Sequence, residues 1–517
     1  MVVCNDGRTP FVGMVRCVSP LLFAGAGRLT SLPRQGHSIL PAIVPTGTIL
    51  YHGRRDGRVP DMPDWLAFDF EHAALFCHSP CYVISFQAKR DLRLLYFDGS
   101  SAAKMKGGPM DSQDIVAWRS LQPDKYISER ERINALCDWG RPFGLDGFVR
   151  MEFHLCVSAC AECSIALTII VPPYSEVMIC DISDGLEVVT LLDVLPKNET
   201  EPHTRPVVGP LDIPRSPPHV EPPPGWHGSL PNYVVGRFEA HVAGGWHDHA
   251  PGETRVRLDY TGLVTFYDAT LSSLVDARWE KDRLHHRLEG ISAADAARVL
   301  TELQSVLTRK QGKGSSVDWS SIARVVMERY ADRLEYLRFL LSPNATFTDT
   351  AEQASAARVQ VLIMLTPYIT TVDVPPDVPA SPTNASWAAP VVHRCATTQT
   401  SRIPLSMLTP QEARIHAAIE HTLREICRRL MLVWLEFFDV EGATEVKAAQ
   451  AIEVGRRHIG ELMTWLDWSV WVRCEPACSL GVRQRHSIPE SAYVAHGTRL
   501  WGTGELLPSI VAIFKRG

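Results

Sequence analysis

The sequence predicts an α+β N-terminal domain followed by a mainly α-helical bundle domain. Three observations carry that expectation. Short β-branched and aromatic runs separated by brief helical patterns fill residues 46–195. Pro196–Trp226 then holds ten prolines in 31 residues, a composition that favours extended polyproline II over a packed core. From Ser292 to Leu466 the apolar residues recur at helical spacing.

The elements follow in order. Residues 1–45 show little periodicity and read as a poorly ordered leader. Thr48–His52 reads as a buried strand, and Asp69–Cys77 as a short helix with Phe70, Ala73, Ala74 and Cys77 on one face. Cys81–Phe86 and Leu92–Phe97 alternate as strands do. Ser128–Trp139 is amphipathic, with Ile133, Leu136 and Cys137 inward. Leu145–Met151, Val177–Ile182 and Leu186–Leu192 complete the strands, and Leu155–Ser175 reads as an insert that loops out between two of them.

Residues 196–226 are the expected linker and 227–478 the helical domain. Ser292 and Asp295 make a capping-box-like start, because a Ser hydroxyl can accept from the N3 amide. Val317–Leu341 and Ala351–Tyr368 are long helices, and Pro375–Pro390 reads as a loop. Thr409-Pro-Gln-Glu412 joins a Thr cap, Pro at the first position and Glu at N3. Ile415, Ile419, Leu423, Ile426, Leu430, Val433 and Phe437 follow on one face, and Val446–Leu466 supplies an antiparallel mate, for about five helices in all. Trp465, Trp468 and Trp471 share a helical face and read as a packed domain end rather than an aromatic platform. Residues 479–517 show no such pattern and read as an irregular tail.

Composition narrows the function classes. The 517 residues suffice for two to four domains of about 100–200 residues. Hydrophobic residues at 45% exclude a disordered or collagen-like chain. The net charge is −6 with acids and bases dispersed, so no nucleic-acid partner is expected. No apolar run reaches the roughly 18 residues of a membrane helix, so no transmembrane segment is expected.

Cysteines and sequons bear on the compartment. Cys77-His-Ser-Pro-Cys81 and Cys474-Glu-Pro-Ala-Cys478 share C-x3-C spacing with an internal Pro that favours a turn. Disulfides are the leading reading, with free buried thiols and a metal site as the alternatives. Cys156, Cys160 and Cys163 lack a fourth ligand, and His247-Asp-His249 a third, so no metal is expected. Of six asparagines, three are sequons: Asn198-Glu-Thr, Asn344-Ala-Thr and Asn384-Ala-Ser. Together these point to the secretory pathway or the extracellular space, with the cytoplasm as the alternative.

The sharpest local feature is Leu50-Tyr51-His52-Gly53 at a strand end, where a Gly lets a ligand approach the backbone. With Trp65–Ala73, Phe143-Gly-Leu-Asp146-Gly147 and Glu176-Val-Met-Ile it loosely resembles the ADP-ribosyltransferase fold in its His-Tyr-Glu branch. That resemblance implies NAD as substrate, His52 on the nicotinamide ribose, Gly53 as backbone contact and Glu176 as the catalytic carboxylate. Tyr82 and Tyr96 compete as the stacking aromatic. The plainer readings are a strand-end His52 bonded to a loop carbonyl and a Glu176 at a solvent-facing strand start.

Longer stretches resemble a set of uncharacterised proteins from basidiomycete yeasts and related fungi. They are Leu-Arg-Leu-Leu-Tyr-Phe-Asp-Gly-Ser-Ser (92–101), Phe-Gly-Leu-Asp-Gly-Phe-Val-Arg-Met-Glu (143–152), Cys395-Ala-Thr-Thr-Gln-Thr-Ser401, Glu425-Ile-Cys427-Arg-Arg and Trp465–Cys474. This resemblance implies no activity. The expected function is a secretory-pathway binding or structural glycoprotein without a resident cofactor and with its partner unknown. The alternative is ADP-ribosyl transfer from NAD through His52 and Glu176.

Overall fold

The computed structural model describes residues 36–75, 81–104, 107–152, 174–193, 253–279, 281, 285–309, 314–347, 349–370, 387–438, 440 and 444–471. The described residues divide into two compact units, 36–309 and 314–471.

The first unit is built on one mixed sheet. Its strands are β1 (Ser38–Val44), β2 (Ile49–Arg54), β3 (Asp64–Ala67), β4 (Tyr82–Ala88), β5 (Leu92–Phe97), β6 (Gly147–Glu152), β7 (Tyr174–Ile179), β8 (Leu186–Asp193), β9 (Arg257–Leu258) and β10 (Val264–Thr265). They lie in the order β10-β1-β5-β6-β7-β3-β2-β4-β8, with β9 also on β1. Among the described residues only β5 and β6 pair in parallel. A parallel pair needs a long crossover, and residues 98–146 supply it with helices α2 (Asp111–Trp118) and α3 (Glu129–Gly140). The short helix α1 is Phe70–Leu75, and α4 (Ile182–Gly185) turns the chain from β7 into β8. Helices α5 (Ser272–Arg278) and α6 (Ala293–Thr308) belong to the same unit.

One face of the sheet carries Leu95, Phe97, Phe148 and Met178. Ile115 and Val116 of α2, Ile133 and Leu136 of α3, and Val299 and Leu303 of α6 pack in the same cluster. Gly147 opens β6 because its neighbour leaves no room: a Cβ there would sit 2.0 Å from the Met178 carbonyl oxygen.

Three expected boundaries move. Residues 38–44 are not leader but a buried strand, paired with β5 on one side and with β9 and β10 on the other. Pro41 hid it, since Pro has no N–H for a ladder. It falls between the β10 contacts of Ser38 and Ile39 and the β9 contacts of Ala42 and Ile43, and its carbonyl accepts from Asp259 N–H at 2.8 Å. Second, the helical domain does not begin at 227. Residues 253–309 complete the sheet unit, and the Ser292-capped helix α6 buries its apolar face there. Third, Tyr174 and Ser175, assigned to the insert, belong to β7, where Ser175 is buried. Their strand pairs with β6 in the register Glu152↔Tyr174. The rest of the insert, 155–173, lies outside the described residues, as do the linker 196–226 and the tail 479–517.

The second unit contains α7 (Trp319–Leu340), α8 (Thr350–Leu365), α9 (Ala388–Thr397), α10 (Pro410–Glu436) and α11 (Glu445–Leu466). The capping box forms as expected: Glu412 N–H donates to Thr409 Oγ1 at 3.1 Å, and Thr409 N–H to Glu412 Oε2 at 2.8 Å. Glu412 is fully buried and also accepts from the Trp319 indole at 3.1 Å, so the cap ties α10 to α7. Helix α9 begins inside the expected loop. Pro390 lies in its first turn, where helical N–H groups have no intrahelical acceptor and a missing donor costs little. Trp468 is buried and stacks on Trp471 with centroids 5.2 Å apart, while the Trp471 indole donates to Ala331 O at 3.1 Å; this is a packed end. No helix among the described residues is long and apolar enough to cross a membrane.

Candidate functional site

The residues singled out by the strand-end motif lie on β2, β3, β6 and β7, and register decides which of them meet. Ala67 pairs with Tyr51 on one side and with Glu176 on the other, and Glu176 pairs with Arg150. Paired residues share a face, and successive residues alternate. Arg150, Glu176, Ala67 and Tyr51 therefore form one row across four strands. His52, the neighbour of Tyr51, points to the opposite face.

On the first face, Glu176 is held by charge. Arg150 is fully buried; its Nε donates to Glu176 Oε1 at 2.9 Å, and its Nη2 reaches both Glu176 and, at 2.5 Å, Glu129 Oε2. Arg132, also buried, pairs with Asp114 and lies 3.4 Å from Glu129. Gln113 accepts from Arg150 at 3.3 Å, and Lys104 stands 3.8 Å from Glu129. Burial alone would raise the Glu176 carboxyl. The Arg150 guanidinium and then Lys104 outweigh it and hold the carboxyl below the ordinary glutamate value. Glu129 is lowered by the same contest between burial and Arg150. The expectation of a solvent-facing Glu176 thus fails: it is a buried anion, bound on its own face by the strand next door.

On the other face, His52 Nδ1–H donates to the Trp65 carbonyl at 2.6 Å, which fixes the tautomer, and Nε2 lies 3.7 Å from Asp64 Oδ2. Burial lowers its pKa, against the pull of Asp64 and the Trp65 hydrogen bond. The histidine does bond a carbonyl, but not the loop carbonyl expected: His52 lies within β2 and Trp65 within β3. Tyr82 pairs with Arg54 and so shares the His52 face, and it is 5% exposed. Tyr96 lies on β5, four strands from β2 in the sheet order, pairs with Val149 of β6 and is 1% exposed. Gly53 pairs with Val83 in the β2–β4 ladder. The structure therefore brings His52 and Glu176 to no common cleft, and both candidate stacking tyrosines are buried side chains.

The aromatic of the motif that does lie on the Glu176 face is Tyr51, edge-on to Phe70 at 5.8 Å. Period-two alternation within Leu50–Gly53 was the signal that separated it from His52.

An open cleft of ≈ 790 Å³ lies elsewhere among the described residues, lined by Arg90, Asn134, Asp138, Asp146, Asp181 and the Cys137–Cys180 disulfide, among others. Its Arg90 is already engaged by the acids beside it. Arg90 donates to both Asp146 oxygens at 2.8 and 2.7 Å and also to Asp184. Among the described residues no group of three or more His, Cys, Asp or Glu side chains could hold a metal ion.

Each unit contains a disulfide that spacing did not indicate. Cys137 of α3 joins Cys180 after β7, with Cα atoms 5.4 Å apart, and Cys395 of α9 joins Cys427 of α10 at 6.2 Å. Cys81 is buried and also disulfide-bonded. Cys77, Cys474 and Cys478 lie outside the described residues, as do Asn198 and Asn384, whereas Asn344 is exposed.

Residues 28–82 and 79–172 match the family model described as the YPL277C N-terminal domain. Over 384 residues the chain is 26% identical to Uncharacterized protein YOR389W of Saccharomyces cerevisiae, covering 61% of this chain and 57% of the relative. It is equally 26% identical to Uncharacterized protein YPL277C of the same yeast over 385 residues, covering 61% of this chain and 73% of the relative. The match thus spans under two thirds of the first relative's length. No solved structure matches the chain. The chain is therefore similar to a family of uncharacterised fungal proteins, and the family-model match covers the region from β1 to β6 with α1, α2 and α3.

Proposed function

We propose that the protein is a binding or structural protein of the secretory pathway, not a transferase. The observation that carries this is the disulfide in each of its two units, Cys137–Cys180 and Cys395–Cys427. Cytosolic reductants keep such thiols reduced, whereas the secretory pathway lets them pair and persist. ADP-ribosyl transfer from NAD would require His52 and Glu176 at one cleft with Glu176 free to meet a developing cation. The strand register puts them on opposite faces, and Arg150 occupies the carboxylate. The test is to block free thiols in living fungal cells expressing the full chain and to map its non-reduced peptides by mass spectrometry. Linked 137–180 and 395–427 peptides are expected. Four alkylated cysteines in the mature chain would overturn the reading.

A further inference from the structure

We propose that Asn344 is an acceptor for N-linked glycan, an inference that rests on the secretory reading above. Three sequons occur in the sequence, and Asn344 is the one within the described residues. It follows α7 directly. The helix ends at Leu340, Pro343 bars its continuation, and Ala345 N–H donates to the Ser342 carbonyl at 3.2 Å to close a turn. That turn is held by the next helix: Gln353 Nε2 donates to Leu340 O at 2.7 Å and to Ser342 O at 3.2 Å. The backbone is thereby anchored while the side chains of Asn344 and Thr346 face solvent, both exposed. Among the described residues no hydrogen bond engages either side chain.

The arrangement meets both needs of the modification. The acceptor amide and the hydroxyl two residues on are free of competing partners, and a bulky glycan would project from a turn outside any packed face. The donor is a lipid diphosphate-linked oligosaccharide. Asn344 Nδ2 attacks the anomeric carbon of its first sugar, and an N-glycosidic bond forms as the anomeric C–O bond breaks. The lipid diphosphate leaves with that electron pair, and the amide proton passes to a carboxylate of the transferase.

The test uses the full chain directed into the endoplasmic reticulum of a yeast host by a heterologous signal segment. Peptides are treated with a glycan-releasing amidase in heavy-oxygen water, which converts an occupied Asn344 to labelled Asp. Label at Asn344 in the directed form is expected, lost in Thr346→Ala and kept in Thr346→Ser. An unlabelled Asn344 in directed, secreted chain overturns the inference. A labelled Asn344 together with alkylated Cys137, Cys180, Cys395 and Cys427 in the thiol-mapping test above leaves the acceptor assignment standing and overturns the secretory reading.

Discussion

Arg150 and Glu176 stand opposite each other on neighbouring antiparallel strands, and the fully buried guanidinium binds both Glu176 and Glu129 of α3. Helix α3 is thus fastened to the sheet by one cation between two anions. Arg150→Met should cost about 3–5 kcal/mol, because it leaves the buried Glu176 carboxylate without its guanidinium and takes one cation from the part-buried Glu129. Combining it with Glu129→Gln and Glu176→Gln should recover part of the loss. Denaturant titration of the unsubstituted, single and triple chains checks this; equal stability of single and triple variants would show that the charges act independently.

The Cys137–Cys180 bridge closes a loop with a sequence separation of 43. In the loop-entropy treatment such a closure is worth about 4 kcal/mol, an upper figure when the reduced chain keeps structure. Cys137→Ser with Cys180→Ser should lower the denaturation midpoint by a corresponding amount. Added reductant should then produce no further shift attributable to this pair.

His52 has its pKa lowered by burial, with Asp64, Arg54, Asp56 and the Trp65 carbonyl as its surroundings. The unfolded chain, with its imidazole near 6.5, binds the proton first. The stability linked to His52 is therefore complete above pH 6.5 and is lost as pH falls from there through the folded-state value. His52→Gln should flatten the fall in stability as pH drops below about 6.5. An unchanged slope would refute the assignment.

Thr409→Ala should cost about 1 kcal/mol by removing the cap of α10. Glu412→Ala should cost more, since it also leaves the buried Trp319 indole and the Thr409 amide without their acceptor. Thermal unfolding of the two variants should rank in that order.

The helical unit was the more legible half because its signals are local. Thr409, Pro410 and Glu412 lie within four residues and specify their helix alone. Strand pairs 92–97 and 147–152 were likewise visible as apolar runs. What escaped were features set by partners distant in sequence. Strand β1 contains Pro41 and is understood only once residues 257–265 flank it. The Cys137–Cys180 bridge joins residues with no shared motif. At the candidate site the individual residues were visible, but whether Glu176 meets His52 depends on register across β7, β3 and β2, and a one-residue offset reverses the answer.

Strands β9 and β10 reach β1 from residues 257–265, more than sixty positions after β8 ends at Asp193. During vectorial synthesis, β1 to β8 leave the ribosome well before the segment that covers the outer edge of β1. At about 5–20 residues per second that interval lasts several seconds. Through it the nascent sheet presents an unpaired β1 edge, the kind of surface that recruits foreign strands. A holding factor that shields an edge strand during translation would therefore matter more to this chain than one that acts on the finished protein.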